Sequence, residues 1–155
     1  MKEIILIDAN LLVLLIVGLT NIKYIKIHKK CSQFTIVDFQ LLESILNNAS
    51  GVVTTNNALT EASNLLGYIN DPAKSKIFET FYRFIQINKE IYVPSKRASA
   101  QKHFIRLGLT DAAFLEAGET SMQLLTTDLD LVTAATKAGQ NALNFTHYME
   151  ANKSE

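Results

Sequence analysis

Four acidic residues stand where a sheet protein does its chemistry. Asp8 ends the apolar run EIILI, Glu61 lies in the first turn of a helical pattern after GVVTT, Asp111 opens another helical segment, and Asp128 follows MQLLT by one residue. Asp130 lies two residues further on. Carboxylates drawn from separate segments to one place form a hard-oxygen donor set of the kind that holds Mg²⁺ or Mn²⁺, as one ion or two. At a separation of about 5 Å and an effective dielectric of about 20, each pair repels by about 3 kcal/mol. Six pairs then reach on the order of 15–20 kcal/mol before screening and protonation. A divalent ion relieves that repulsion; without one, some of the acids take up protons. Taken singly, Asp111 and Asp128 also read as first-turn acids favoured by the helix dipole by about 0.3–1 kcal/mol. Asp8 is different. Between EIILI and LLVLLIV it needs a cation, amide donors or solvent to offset its desolvation.

The elements that must position these acids follow from periodicity. Residues 3–7 predict a buried strand. Asn10 is expected to cap a helix running to about Val17, with Gly18 as the stop. Asp38 is expected to cap a second helix that ends near Gly51, and GVVTT over 51–55 predicts a second strand. Helical spacing resumes at Glu61 behind Thr60. Asp71-Pro72 predicts a helix start, with Ile77, Phe78, Phe81, Phe84 and Ile85 on one face through about Asn88. Ile91-Tyr92-Val93 reads as a short extended piece and residues 95–107 as helical. Thr110 is expected to cap a helix from Asp111 to Gly118. Residues 122–126 predict a strand, 128–137 a helix closed by Gly139, and 142–145 a final strand. Short apolar strands alternating with helices predict an α/β fold with a mostly parallel sheet. In such sheets ligands bind beyond the carboxyl ends of the strands.

At about 150 residues per domain, the 155 residues predict a single domain over 1–150 and a short polar tail over 151–155. Apolar residues at 48% and charged residues at 19% exclude a disordered chain. The one cysteine, Cys31, excludes an intrachain disulfide and a cysteine-built zinc or iron–sulfur site. A reducing cytoplasm is the expected location. Met1-Lys2 and the apolar stretch behind them mimic a signal peptide. The run from Leu11 to Leu19 is nevertheless short of the roughly 20 residues that span a bilayer, and Asp8 and Asn10 interrupt it. A buried strand and helix, and no membrane partner, are expected instead.

Net charge is zero and the sequence pI is near 6.8, which by itself argues against a basic nucleic-acid binder with a pI above about 9. The charges are unevenly placed, however. No acid occurs between Asp8 and Asp38, where Lys23, Lys26, Lys29 and Lys30 lie with Tyr24 and His28. None occurs between Glu90 and Asp111, where Lys96, Arg97, Lys102 and Arg106 lie with His103. Eight of the fifteen cations fall in these two stretches. A phosphate backbone approaching an acidic site needs flanking cations. Lys23, Tyr24, Lys26, Lys30, Arg97, Lys102 and Arg106 are therefore the candidate RNA contacts, with Tyr24 able to stack on a base. A solvated face remains the alternative for Lys102 and Arg106. His28, His103 and His147 have no mutual metal-type spacing and are expected to be solvated or capping. Cys31 is expected to be inert.

In order along the chain, IILIDANLLV, VVTTNNALTE, LTDAAFLEAG and LLTTDLDLVTAA resemble the motifs of the PIN domain, a metal-dependent nuclease fold. The resemblance spans about residues 3–147 and implies a three-layer α/β/α sandwich. It implies an acidic quartet of Asp8, Glu61, Asp111 and Asp128 holding Mg²⁺ or Mn²⁺, with Asn10 and Thr126 as supporting polar residues. Asp130 enters as an extra ligand or a substitute for Asp128. It further implies a ribonuclease in which metal-activated water attacks a phosphodiester in line, leaving a 5′-phosphate and a 3′-hydroxyl. Small single-domain members resemble the toxins of VapBC-type toxin–antitoxin pairs, so an antitoxin protein and a second copy of the chain are the implied partners. The segment 20–37 looks longer and more basic than in compact members, and residues 118–121 form a tight connection before the last motif; both bear on substrate choice. A noncatalytic PIN-like module that binds RNA or protein is the alternative. A receiver domain lacks its phosphoacceptor Asp at Thr54-Thr55, and a haloacid-dehalogenase-type phosphatase lacks its Asp-x-Asp at Asp8-Ala9-Asn10.

Overall fold

Side chains alternate along the first strand, and the alternation divides the core. In a computed structural model that describes residues 2–119 and 121–153, β1 (Ile4–Ile7) buries Ile5 and Ile7 in one apolar cluster and Leu6 in another. Both faces of the strand are covered, which is why EIILI reads as continuously apolar rather than alternating. The first cluster joins α1 (Ala9–Thr20), α2 (Ile36–Asn47), α3 (Asn56–Leu66) and α4 (Ala73–Ile87). The second joins α5 (Ser95–Ser99), α7 (Leu109–Ala117) and α8 (Leu129–Lys137), with the short α6 (Phe104–Leu107) packed at its margin. A three-layer α/β/α sandwich results.

The sheet is parallel throughout. β2 (Gly51–Thr55), β3 (Lys89–Ile91), β4 (Met122–Thr126) and β5 (Asn141–Asn144) complete it in the order β3-β2-β1-β4-β5. β1 pairs with β2 through Ile5↔Val52 and with β4 through Ile5↔Gln123, all in parallel register. Strand order reverses at β1. Connections leaving β1 and β4 therefore go to opposite faces and leave a crevice at their carboxyl ends. Asp8 and Asp128 stand at that crevice.

Several boundaries differ from expectation for local reasons. Asp8, not Asn10, caps α1, its Oδ1 accepting the Leu11 N–H at 2.9 Å. Gly18 does not stop that helix; α1 continues to Thr20, and the Phe39 ring packs where a Gly18 side chain would stand. Thr35 caps α2, with Asp38 completing a capping box rather than capping it. Thr55 caps α3 five residues earlier than Thr60. The 95–107 segment is two short helices, and Gly108, at φ 89°, turns the chain into α7, which begins at Leu109. The last strand closes at Asn144, and α9 (Phe145–Lys153) follows, so the tail expected from residue 151 starts inside a helix; 154–155 lie outside the described residues. Of the 118–121 connection, Thr120 lies outside them too.

α1 accounts for the resemblance of the start to a signal peptide. It buries every residue from Leu11 to Gly18 beneath the other helices of its layer, as a helix apolar all round must be. Among the described residues no helix is long and apolar enough to cross a membrane. Gly18→Ala should destabilise the fold by about 1–3 kcal/mol, because a methyl group there forces the Phe39 ring from its place. Thermal melts of the two proteins test this, and an unchanged midpoint would show that the ring moves freely.

Candidate functional site

Asp8 is 6% exposed, at the end of the central strand. Local backbone puts it there: its own N–H bonds the Leu125 carbonyl of β4 at 3.2 Å, and its carboxylate then starts α1. The second carboxylate oxygen accepts a bond from the Thr126 hydroxyl. That hydroxyl oxygen in turn accepts the Asp128 N–H at 3.0 Å. Asp128 caps α8 through the Leu131 N–H at 3.2 Å. Thr126 therefore ties the acid after β1 to the acid after β4, and both are helix caps. Burial pushes the Asp8 carboxyl up to about 6 from an ordinary 3.8, while the Thr126 hydroxyl and the Leu11 N–H oppose the rise.

A cavity of about 120 Å³ collects the residues that lay far apart in sequence. Asp8, Asn10, Glu61, Asp111 and Asp128 line it, with Phe114 as an apolar wall. Glu61 projects from the second turn of α3, and Asp111 from the first turn of α7. Burial first, then the charges of Asp128, Asp8 and Glu61, and a hydrogen bond with Asp128 push the Asp111 carboxyl up to about 7. Carboxylates crowded in this way favour a bound cation, which relieves their repulsion. Their donors are hard oxygens, which fits Mg²⁺ or Mn²⁺ in kind. They are not drawn into a closed shell: among the described residues no three His, Cys, Asp or Glu side chains stand grouped to hold a metal ion.

Other expected residues fall elsewhere. Asp130 is exposed, does not line the cavity, and lies 3.9 Å from Arg106. Arg97 lies 3.5 Å from Glu116. Lys102 is exposed, as are Lys23, Lys26, Lys29 and Lys30, while Tyr24 is half-buried. His28 is buried and caps a short turn, in line with a capping role. The Cys31 thiol is fully buried and pushed up to about 12 by that burial, as an inert cysteine would be.

Some residues at the site escaped sequence reasoning. Thr54, buried, bonds the Ile7 carbonyl at 2.9 Å and braces the strand that delivers Asp8. Asn57, one turn before Glu61 on the same face of α3, buries its amide oxygen with no hydrogen-bond partner among the described residues. The paired Thr54-Thr55 and Asn56-Asn57 at a strand end were the available signal. Thr126→Val should destabilise the protein by about 1–3 kcal/mol, because it strands a buried Asp8 oxygen and the Asp128 N–H. Thr126→Ser should restore most of the loss in chemical denaturation; equal stability of the valine variant would show that the hydroxyl carries nothing. No family model matches the chain, and no curated protein matches it.

Proposed function

We propose that the protein is a Mg²⁺- or Mn²⁺-dependent phosphodiesterase, and specifically a ribonuclease. The observation that supports this best is the single cavity lined by Asp8, Glu61, Asp111 and Asp128 at the crevice where strand order reverses. Those four residues would hold the ion. When bound, it would lower the pKa of a water molecule and offset charge developing on the phosphate. Thr126 holds the Asp8 carboxylate in one orientation, and Asn10 offers an amide at the cavity mouth where a scissile group would lie. Burial and the charges of Asp128, Asp8 and Glu61 push the Asp111 carboxyl up, and a bound cation would relieve that repulsion. Incubating the protein with RNA and Mn²⁺ and mapping the new ends, beside an Asp8→Asn control, tests the proposal. Ends bearing 5′-phosphate that appear only with the unsubstituted protein are the expected result. A toxin role, with an antitoxin protein and a second copy as partners, belongs to the same proposal.

Calorimetric titration with Mn²⁺ separates this reading from a noncatalytic module that binds RNA or a protein, which predicts no metal affinity at the acids.

A further inference from the structure

A second groove, of about 570 Å³, shares no lining residue with the acidic cavity. It lies between the turns that follow α1 and the connection from α3 to α4. Tyr24 and Tyr68 give it aromatic surface, and Lys29 and Asn70 give it polar groups. Tyr68 is 51% exposed, and the Lys30 ammonium sits 4.3 Å from its ring centroid. Asp71 also lines the groove as its one carboxylate, with Oδ1 accepting the Ser75 N–H at 2.9 Å and hydroxyl at 2.6 Å, which turns that oxygen toward α4. The wall is built rather than incidental. His28, 1% exposed, accepts the Lys30 N–H at Nδ1 (3.1 Å), so its Nε2 carries the proton and donates to the Leu66 carbonyl at 3.0 Å. That ring pins the lysine-bearing turn to the end of α3.

We infer that this groove seats a single-stranded RNA segment, with a base against Tyr68 and Tyr24 and its phosphates on Lys29 and Lys30. Aromatic faces flanked by flexible cations bind single strands with little regard to sequence, and the cation held over Tyr68 adds to its affinity for a polarised ring and an anionic backbone. The lysines belong to a stretch that holds no acid from Ala9 to Val37. Glu61 and Tyr68 are seven residues apart on and just past α3, about 10 Å along the axis. The acidic cavity and the groove are thus placed along one helix, α3. The inference rests on the nucleic-acid reading above and names where the strand lies.

Equilibrium binding of a fluorescent oligouridylate to the full chain in EDTA, with photocrosslinking from a 4-thiouridine in the strand, tests it. Tyr68→Ala should weaken binding about 5- to 100-fold while Tyr68→Phe stays within about twofold of the unsubstituted protein. Replacing Lys29 and Lys30 by Ala should lower the salt slope by about 0.7 per lysine. Crosslinks should fall on Tyr68 or Tyr24. Unchanged binding by Tyr68→Ala overturns the inference. An acidic peptide that displaces the RNA and binds Tyr68→Ala undiminished would reassign the groove to a protein partner and overturn it as well. No divalent ion is present, so failure here is separable from failure of catalysis. Tyr68-dependent binding without Mn²⁺-dependent cleavage supports the groove and removes only the nuclease reading. Cleavage lost in Asp8→Asn, with crosslinks outside the groove, overturns only the groove.

Discussion

Asp8→Asn and Asp111→Asn should each keep the fold and lose at least about 100-fold in Mn²⁺-dependent RNA cleavage, the scale on which removing one charge-stabilising group acts. Folding should survive for different reasons at the two positions. At residue 8 an asparagine oxygen still accepts the Leu11 N–H that starts α1, and asparagine is among the best helix caps. At residue 111 the substitution removes a carboxyl crowded by Asp128, Asp8 and Glu61. Activity should not survive, because each change removes a hard anionic donor from a small cavity with few others. Asp130→Asn should change the rate little, since Asp130 stands outside that cavity beside Arg106. Initial rates on labelled RNA, with circular-dichroism melts alongside, check all three. Undiminished cleavage by both purified Asp8 and Asp111 variants would remove the nuclease proposal.

Without a divalent ion the protein should lose stability as pH rises from about 4 to about 7. The folded-state values for Asp8 and Asp111, about 6 and about 7, lie above the ordinary 3.8. The native state therefore holds more protons than the unfolded state in that window, and stability falls as pH rises through it. The contribution is fully present below about 4 and is gone above about 7. For Asp8 a rise from 3.8 to about 6 corresponds to about 3 kcal/mol at most. Asp111 adds less than its larger shift implies, because partial exposure screens it. A change of that size moves the midpoint of a chain this long by about 6–12 °C. Melts at pH 5 and pH 8 in EDTA should show about half of the Asp8 part of this fall together with most of what Asp111 adds, and Mn²⁺ at pH 8 should reverse part of it by binding the native state. The double variant Asp8→Asn, Asp111→Asn should flatten the slope. A wild-type midpoint that climbs from pH 5 to pH 8 relative to the double variant would show that neither carboxyl is strained by burial.

The two five-residue strands were legible because short apolar runs bounded by turn signals read as buried strands, whereas β3 lies at Lys89–Ile91, two residues before the extended piece expected at 91–93. MQLLT over 122–126 is strand from end to end, and GVVTT over 51–55 is too. Helix starts were less legible where several polar residues competed for one cap. Around β1 both Asp8 and Asn10 could cap, and only the position of the strand end selects Asp8. Gly18 carried the sequence signal of a helix stop, yet it sits inside α1 because Phe39, distant in sequence, needs the space. The same is true of cations. Arg97 and Arg106 read as free to meet phosphate, while the folded chain sets Glu116 and Asp130 beside them.

The sequence by itself determined the kind of protein: alternating apolar strands and helices, acids at strand ends, and zero net charge made of unlike patches. Those properties are local or additive, so they can be read along the chain. Tertiary structure alone decided which acids meet. Strand order places β4 beside β1, so Asp128 comes to share Thr126 with Asp8 across 120 residues, while Asp130, two residues on, turns outward. It also decided that Tyr68, silent in the sequence, faces the lysine run from the end of α3. Neither outcome is encoded in any single segment. Each depends on which elements the sheet and the buried α1 bring side by side.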